Sequence, residues 1–223
     1  MKLRLLQGGF FVGGPETISP GDFDSFVNVF LPTASQATIN ALYRLYPPVP
    51  ADDKLGNWLR LTDFIGDVLF NCNAEFLAST RFAPALEKQD TGDEKNVPAT
   101  VKTYRYVFAV GSAIHGSDVD FTFYNGSSGN NHTNKTGNED TTQAGDITVQ
   151  DAKQVAFDMQ RMITNFVVYG RPQIESFDNL TLPLYRPEER GTLVFNDTNL
   201  YTLESDPWKS ARCDWWQTGS FAE

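Results

Sequence analysis

Apolar residues recur along the chain at helical spacing in several stretches and read as extended in two others. From Asp22 to Phe30, the side chains of Phe23, Phe26, Val27 and Phe30 share one face. Gly21 or Asp22 caps this element and Pro32 closes it, so a short helix is predicted. A second helix is predicted from Ser35 to Leu45, with Ile39, Leu42, Tyr43 and Leu45 on its apolar side. It must stop at Pro47-Pro48, where amides are missing and helical geometry is disfavoured. The longest pattern runs from Leu61 to Ala85, with apolar positions at Phe64, Ile65, Val68, Leu69, Cys72, Phe76 and Leu77. That spacing puts Cys72 on the buried face.

Polar, Pro- and Gly-containing sequence covers Lys88 to Ala99. Val101 to Val110 then alternates and is rich in β-branched and aromatic residues, which predicts a strand. Gly111 to Asp120 reads as a loop containing His115, followed by a short apolar piece from Val119 to Tyr124. Asn125 to Gly145 is dominated by Gly, Ser, Asn and Thr, the composition of a solvated excursion. Asp151 to Tyr169 is a strong amphipathic pattern, with Val155, Phe157, Met159, Met162, Ile163, Phe166 and Val167 apolar. Gly170 and Pro172 end it in the expected order. Thr192 to Phe195 reads as a strand and Pro207 to Thr218 as a final helix carrying Trp208, Cys213, Trp215 and Trp216. No internal repeat is visible. Helices, strand, histidine loop, long helix, strand and helix in that order fit the closing half of an α/β sheet.

Composition narrows the class. With 223 residues, 40% apolar, the chain can build one domain with a substantial core, and 17 Phe and 4 Trp argue against disorder. A net charge of -10 without clustered Lys and Arg excludes a nucleic-acid partner of the usual electrostatic kind. No apolar run reaches the roughly 20 residues of a transmembrane segment. Lys2 and Arg4 precede an apolar stretch, but Gly8, Gly9, Gly13 and Gly14 interrupt it, so a signal peptide is not expected there. Asn125, Asn131, Asn134, Asn179 and Asn196 each begin an N-x-[ST] triplet with no intervening Pro. Five such sites exceed the about two expected at random and point to a secreted protein. Cys72 and Cys213 could remain buried thiols or close one long-range disulfide, and an oxidising compartment favours the disulfide.

Candidate chemistry is sparse. Of two histidines, His132 sits in the polar loop and reads as a solvated surface residue. His115, in SAIHGSDVDF, directly follows a predicted sheet strand, where α/β enzymes present reactive groups. By position alone a structural role for it stays open. No G-x-S-x-G nucleophile elbow occurs; GSSGN at Gly126 to Asn130 fails the pattern. No HGG-type oxyanion segment occurs either, and Asp93-Glu94 reads as a surface pair. Nothing has the ligand spacing of a metal site, so no metal or cofactor is implied.

The run YRYVF, a short connection and HGSDVDFTF resembles the histidine segment of the type-B carboxylesterase and lipase family, which includes the cholinesterases. FDMQRMITNFVVYGRP is similar to the helix after that histidine, and LPLY, LVFN and RCDWW follow in the family's order. Upstream, DVLFNCNAEFLAS resembles the family's cysteine-bearing helix, and LLQGGFFVGGPETISPGDFDSFV the stretch around its acidic triad member. The likeness runs over residues 1–223, read as the C-terminal portion of such a domain. It implies an α/β fold, the C-terminal part of an α/β-hydrolase with an incomplete central sheet flanked by helices. It also implies acyl transfer through a Ser-His-acid triad, with His115 as general base and acid. Gly116 would permit a tight turn and Asp118 would support the histidine loop.

This sequence departs from the family pattern: the serine is absent, and LLQG passes directly to GFFVGG without the family's D-E-G-like run. The expectation is therefore a chain inert by itself, which would act on an ester or lipid substrate only when completed by the missing N-terminal part. The alternative is a non-catalytic, cholinesterase-like binding or adhesion protein, or a complementing subunit.

Overall fold

The computed structural model describes residues 12–80, 102–111, 113–125, 148–176, 180–186, 188–208 and 210–219. In chain order, its helices are α1 (Pro20–Phe30), α2 (Gln36–Leu45), α3 (Lys54–Gly66), α4 (Cys72–Thr80), α5 (Val119–Thr122), α6 (Val149–Tyr169) and α7 (Ala211–Gln217). Its strands are β1 (Tyr106–Ala109), β2 (Gln173–Ile174), β3 (Leu180–Thr181), β4 (Gly191–Asn196) and β5 (Leu200–Ser205). The chain divides into two compact units, one formed by residues 1–77 with 207–223, the other by residues 78–206. Helices mixed with a small, partly parallel sheet make this an α/β chain. The polar stretch at 88–99, nearly all of 125–145, and Asn131, Asn134 and Asn179 lie outside the described residues.

The first unit is helical, and its boundaries follow local capping chemistry. α1 begins two residues before the hydrophobic pattern does, because Ser19 caps it, Pro20 fills its first turn, and Asp22 Oδ2 accepts from the Ser19 amide at 2.6 Å. Ser35 Oγ accepts the Thr38 amide at 3.1 Å and starts α2. α3 begins at Lys54, seven residues ahead of the periodic run, because Asp53 Oδ1 takes the Gly56 amide at 2.8 Å. That cap packs so closely over Gly56 that a Cβ there would lie 2.2 Å from Asp53 Oδ2, so any larger residue would displace the capping carboxylate.

The expected Leu61 to Ala85 helix is interrupted by a π-helical turn at Asp67–Asn71. A wider turn rotates every later residue around the axis. Cys72 stays buried, but Phe76 and Leu77, expected on the apolar face, are 44% and 59% exposed, whereas Glu75 is buried. Phe64 centres the core, its ring centroid 5.1 Å from Phe23, 5.5 Å from Tyr46 and 5.9 Å from Trp216. The Cys72–Cys213 disulfide forms as expected and ties α4 to α7.

Beside it, buried Asp67 gathers three donors: Arg212 Nε at 2.9 Å, the Tyr46 hydroxyl at 2.9 Å and Asn71 Nδ2 at 3.3 Å. Burial pushes the Asp67 carboxyl up to about 6 against the opposing pull of Arg212.

In the second unit the sheet order is β1-β4-β5, with β1 parallel to β4 and β4 antiparallel to β5. Phe108, Leu193, Phe195 and Tyr201 share one face and meet Val155, Met159 and Met162 of α6. Phe157, Phe166 and Val167, expected among the apolar positions of that helix, are instead 50%, 45% and 76% exposed. The buried set steps by four and three residues and selects a narrower stripe than hydrophobicity alone suggests. The expected strand from Val101 shortens to β1, the stretch alongside which β4 runs from Leu193 to Asn196. The hairpin partner β5 has no counterpart in the sequence reading.

Two buried polar clusters brace this unit. Arg105 Nε lies 2.7 Å from Asp206 Oδ2, which also accepts the Tyr185 hydroxyl at 2.7 Å. Asp158, on the buried side of α6, accepts from Tyr201, Ser176 and Gln154. Burial, and then the Asp158 bond, drive the Tyr201 phenol upward.

Candidate active site

Because β1 and β4 are parallel and end together, Ala109 opposite Asn196, the segments leaving them emerge at one sheet edge. Loops beyond the carboxyl ends of parallel strands are where α/β proteins place ligands. The segment after β1 carries His115, Gly116 and Asp118; the one after β4 carries Asp197.

The histidine loop is fastened at both ends. Gly111, with φ of 62°, donates its amide to both carboxylate oxygens of Asp197, at 3.0 and 3.1 Å. Ala113 follows with φ of 48°, a conformation L-residues seldom adopt, yet it is buried. Strained residues of this kind concentrate where geometry serves function. The Ser117 amide donates to the Ile114 carbonyl at 3.1 Å, closing a turn with His115 second and Gly116 third. Gly116 has φ of 87°, the positive value that the third position of a type II turn requires. Among the described residues no neighbour would meet a Cβ there, so backbone conformation rather than space demands the glycine.

The imidazole of His115 is exposed at the crest of this turn. Asp118, half-buried, leads into α5 and accepts the Tyr106 hydroxyl at 3.3 Å, which anchors the loop to β1. Burial, then the Asp118 charge, pushes the Tyr106 phenol up to about 12, so it stays a donor at neutral pH.

His115, Gly116 and Asp118 thus form one turn, whereas Cys72 and Cys213 belong to the other unit. Sequence reasoning missed Asp197 and Tyr106. Asp197 sits 86 residues from the amide it holds and inside a glycosylation triplet, so nothing local marked it. Asn125 is exposed. Asn196 Oδ1 accepts the Thr198 and Asn199 amides at 2.9 Å each, and its Nδ2 donates to Thr202 Oγ1 at 3.2 Å. Among the described residues, Asp67, Cys72 and Cys213 bring possible metal-ligating atoms within 4.8 Å of one another, but both sulfurs are spent in the disulfide.

An exposed imidazole on a braced turn can exchange protons with a group approaching from solvent. Compared with known proteins, the chain matches no family model and no curated relative.

Proposed function

We propose that this chain is part of a secreted serine carboxylesterase or lipase of the type-B α/β-hydrolase class, to which it contributes the catalytic histidine. The reading rests on one observation: His115 stands on a fastened turn at the carboxyl end of a parallel strand. In ester hydrolysis His115 takes the proton of a serine hydroxyl as that oxygen attacks the carbonyl. It then returns the proton to the departing alcohol. Asp118 acts through the Tyr106 bond as a positioning residue rather than as the triad acid.

The 223 residues contain no nucleophile elbow. Loss of the serine alone removes on the order of a millionfold in rate. The purified chain is therefore inert toward p-nitrophenyl esters. Joined behind the N-terminal portion of a serine carboxylesterase bearing G-x-S-x-G and the acid, it supports turnover that His115→Ala lowers by about 10⁴-fold or more. A chimera hydrolysing equally well with His115→Ala would sink the assignment.

A complementing subunit is the second reading, favoured by β1 itself. Val107 and Phe108 point to opposite faces and are both buried, the pattern of an interior parallel strand. Yet among the described residues β1 pairs only with β4 and forms the sheet edge.

A further inference from the structure

The last turn of α6 is Phe166, Val167, Val168 and Tyr169, which are 45%, 76%, 61% and 70% exposed. Successive helical residues step by about 100°, so these four spread around roughly 300° of the circumference. A helix that packs on protein presents a single stripe little more than about 100° wide. One groove or one sheet face cannot cover a set that surrounds the axis.

This end of the helix is not frayed. Gly170, at φ of 70°, donates its amide to the Phe166 carbonyl at 2.8 Å and closes the helix. Tyr104 meets Phe166 edge to face, with ring centroids 5.8 Å apart, and its hydroxyl donates to the Gly170 carbonyl at 3.4 Å. The four side chains therefore form a braced apolar tip. Among residues 164–173 the one charge is Arg171, which is exposed. Further back on the helix, Arg161 is paired with Glu175 at 3.4 Å, where the surface turns polar.

We propose that this tip seats in the surface of a net-neutral, zwitterionic phospholipid bilayer. Acyl chains can surround Val167 and Val168 on all sides, as a protein groove cannot. Tyr169 and Tyr104 suit the headgroup level, where rings with a polar end collect, and Arg171 can reach a headgroup phosphate. From Phe166 to Tyr169 the axis advances about 5 Å. That height fits the roughly 5–10 Å to which interfacial helices bury their apolar part. Among the described residues no helix is long and apolar enough to cross a membrane, so the contact is a seating and not a span. A net charge of -10 disfavours an anionic surface. A second copy of the chain fits less well, because the tip offers roughly 500 Å², short of the roughly 800 Å² per partner of a stable interface. The inference concerns α6 and does not depend on the role of His115.

Flotation of the full 223-residue chain with phosphatidylcholine vesicles tests it, beside vesicles containing phosphatidylserine as well. The chain floats with phosphatidylcholine in a saturable manner, and phosphatidylserine weakens the association. Val167→Gln/Val168→Gln lowers the affinity at least about tenfold, since both valines leave the acyl region. Both positions are exposed, so the fold survives the change. Phe157→Gln, at a half-exposed position near the other end of the same helix, leaves the affinity within about twofold. Absence of flotation, tighter binding to phosphatidylserine, indifference to the double substitution or an equal loss with Phe157→Gln would each overturn the proposal. So would loss of self-association in light scattering on Val167→Gln/Val168→Gln, which would put a second copy on the tip.

Discussion

Breaking the Cys72–Cys213 bridge is a perturbation whose cost follows from connectivity. The two cysteines are 141 positions apart, and the bridge joins the two chain segments that make up the first unit. In the chain-entropy account a loop of that length stabilises by about 5 kcal/mol, through freedom denied to the unfolded chain. That value applies when both units unfold together. If the second unit stays folded, the flexible part of the loop reduces to Cys72–Leu77 and Pro207–Cys213, six and seven residues. A loop that short is worth about 3 kcal/mol.

All four tryptophans, Trp58, Trp208, Trp215 and Trp216, belong to the first unit, so their fluorescence follows its unfolding alone. Urea titrations of the oxidised chain and of the Cys72→Ala/Cys213→Ala variant give the difference directly. A loss near 3 kcal/mol means the second unit outlasts the first; a loss near 5 kcal/mol means they unfold as one. A difference below about 1 kcal/mol would show that neither loop governs stability, and the reasoning would fail.

Three shorter predictions accompany it. Burial pushes the Asp67 carboxyl up to about 6 in the folded chain, above the ordinary aspartate range, so the folded state holds its proton more tightly. This group's contribution is complete below about pH 4 and is lost as pH rises through 6, on the order of 3 kcal/mol. The wild-type minus Asp67→Asn stability difference, followed by denaturation from pH 4 to 7, must fall with rising pH; a flat difference refutes it. Asp158→Ala strands three donors, from Tyr201, Ser176 and Gln154, and should cost about 3 kcal/mol or more. Tyr201→Phe should cost only about 1–2 kcal/mol, and equal thermal shifts for both would contradict the network. Among the described residues β1 forms the sheet edge, so the chain should self-associate through it, and Tyr106→Lys, at a residue 36% exposed on β1, should suppress this in light scattering. A wild-type chain that stays monomeric at high concentration would refute it.

The sequence revealed elements whose signals are local and concealed those set by pairing or capping. The spans of α2 and α6 were legible because Pro47-Pro48 and Gly170 end them chemically as well as by periodicity. The start of α3 was not, since Asp53 begins it with a cap ahead of any apolar repeat. The misplacement of Phe76 and Leu77 has one cause: periodicity presumes a constant turn, and the π turn at Asp67 changes it. β5 escaped notice because its hairpin forms through Asn196 Oδ1 accepting two amides, with Leu200 at φ of 60°, a value not expected of leucine. At the candidate site, position after a strand and a following glycine singled out His115. The groups that hold its loop, Asp197 and Tyr106, come from other elements and become visible only in three dimensions.

The bracing of that loop carries its own argument. An amide shared by both oxygens of Asp197 and a phenol fixed on Asp118 commit two other elements to one exposed turn, whose own loop also carries a buried alanine at positive φ. A merely solvated loop has no need of such restraint, because water satisfies its backbone. Restraint becomes useful when a side chain on the turn must meet a reacting atom, where a misplacement of about 1 Å can cost a hundredfold in rate. Yet a well-placed imidazole cannot by itself open an ester at a useful rate, since triad members act as a unit. On the proposed reading, the geometry of the His115 turn therefore serves a nucleophile from another segment or subunit, and the edge of β1, which pairs with no strand but β4 among the described residues, is where that segment would join the sheet.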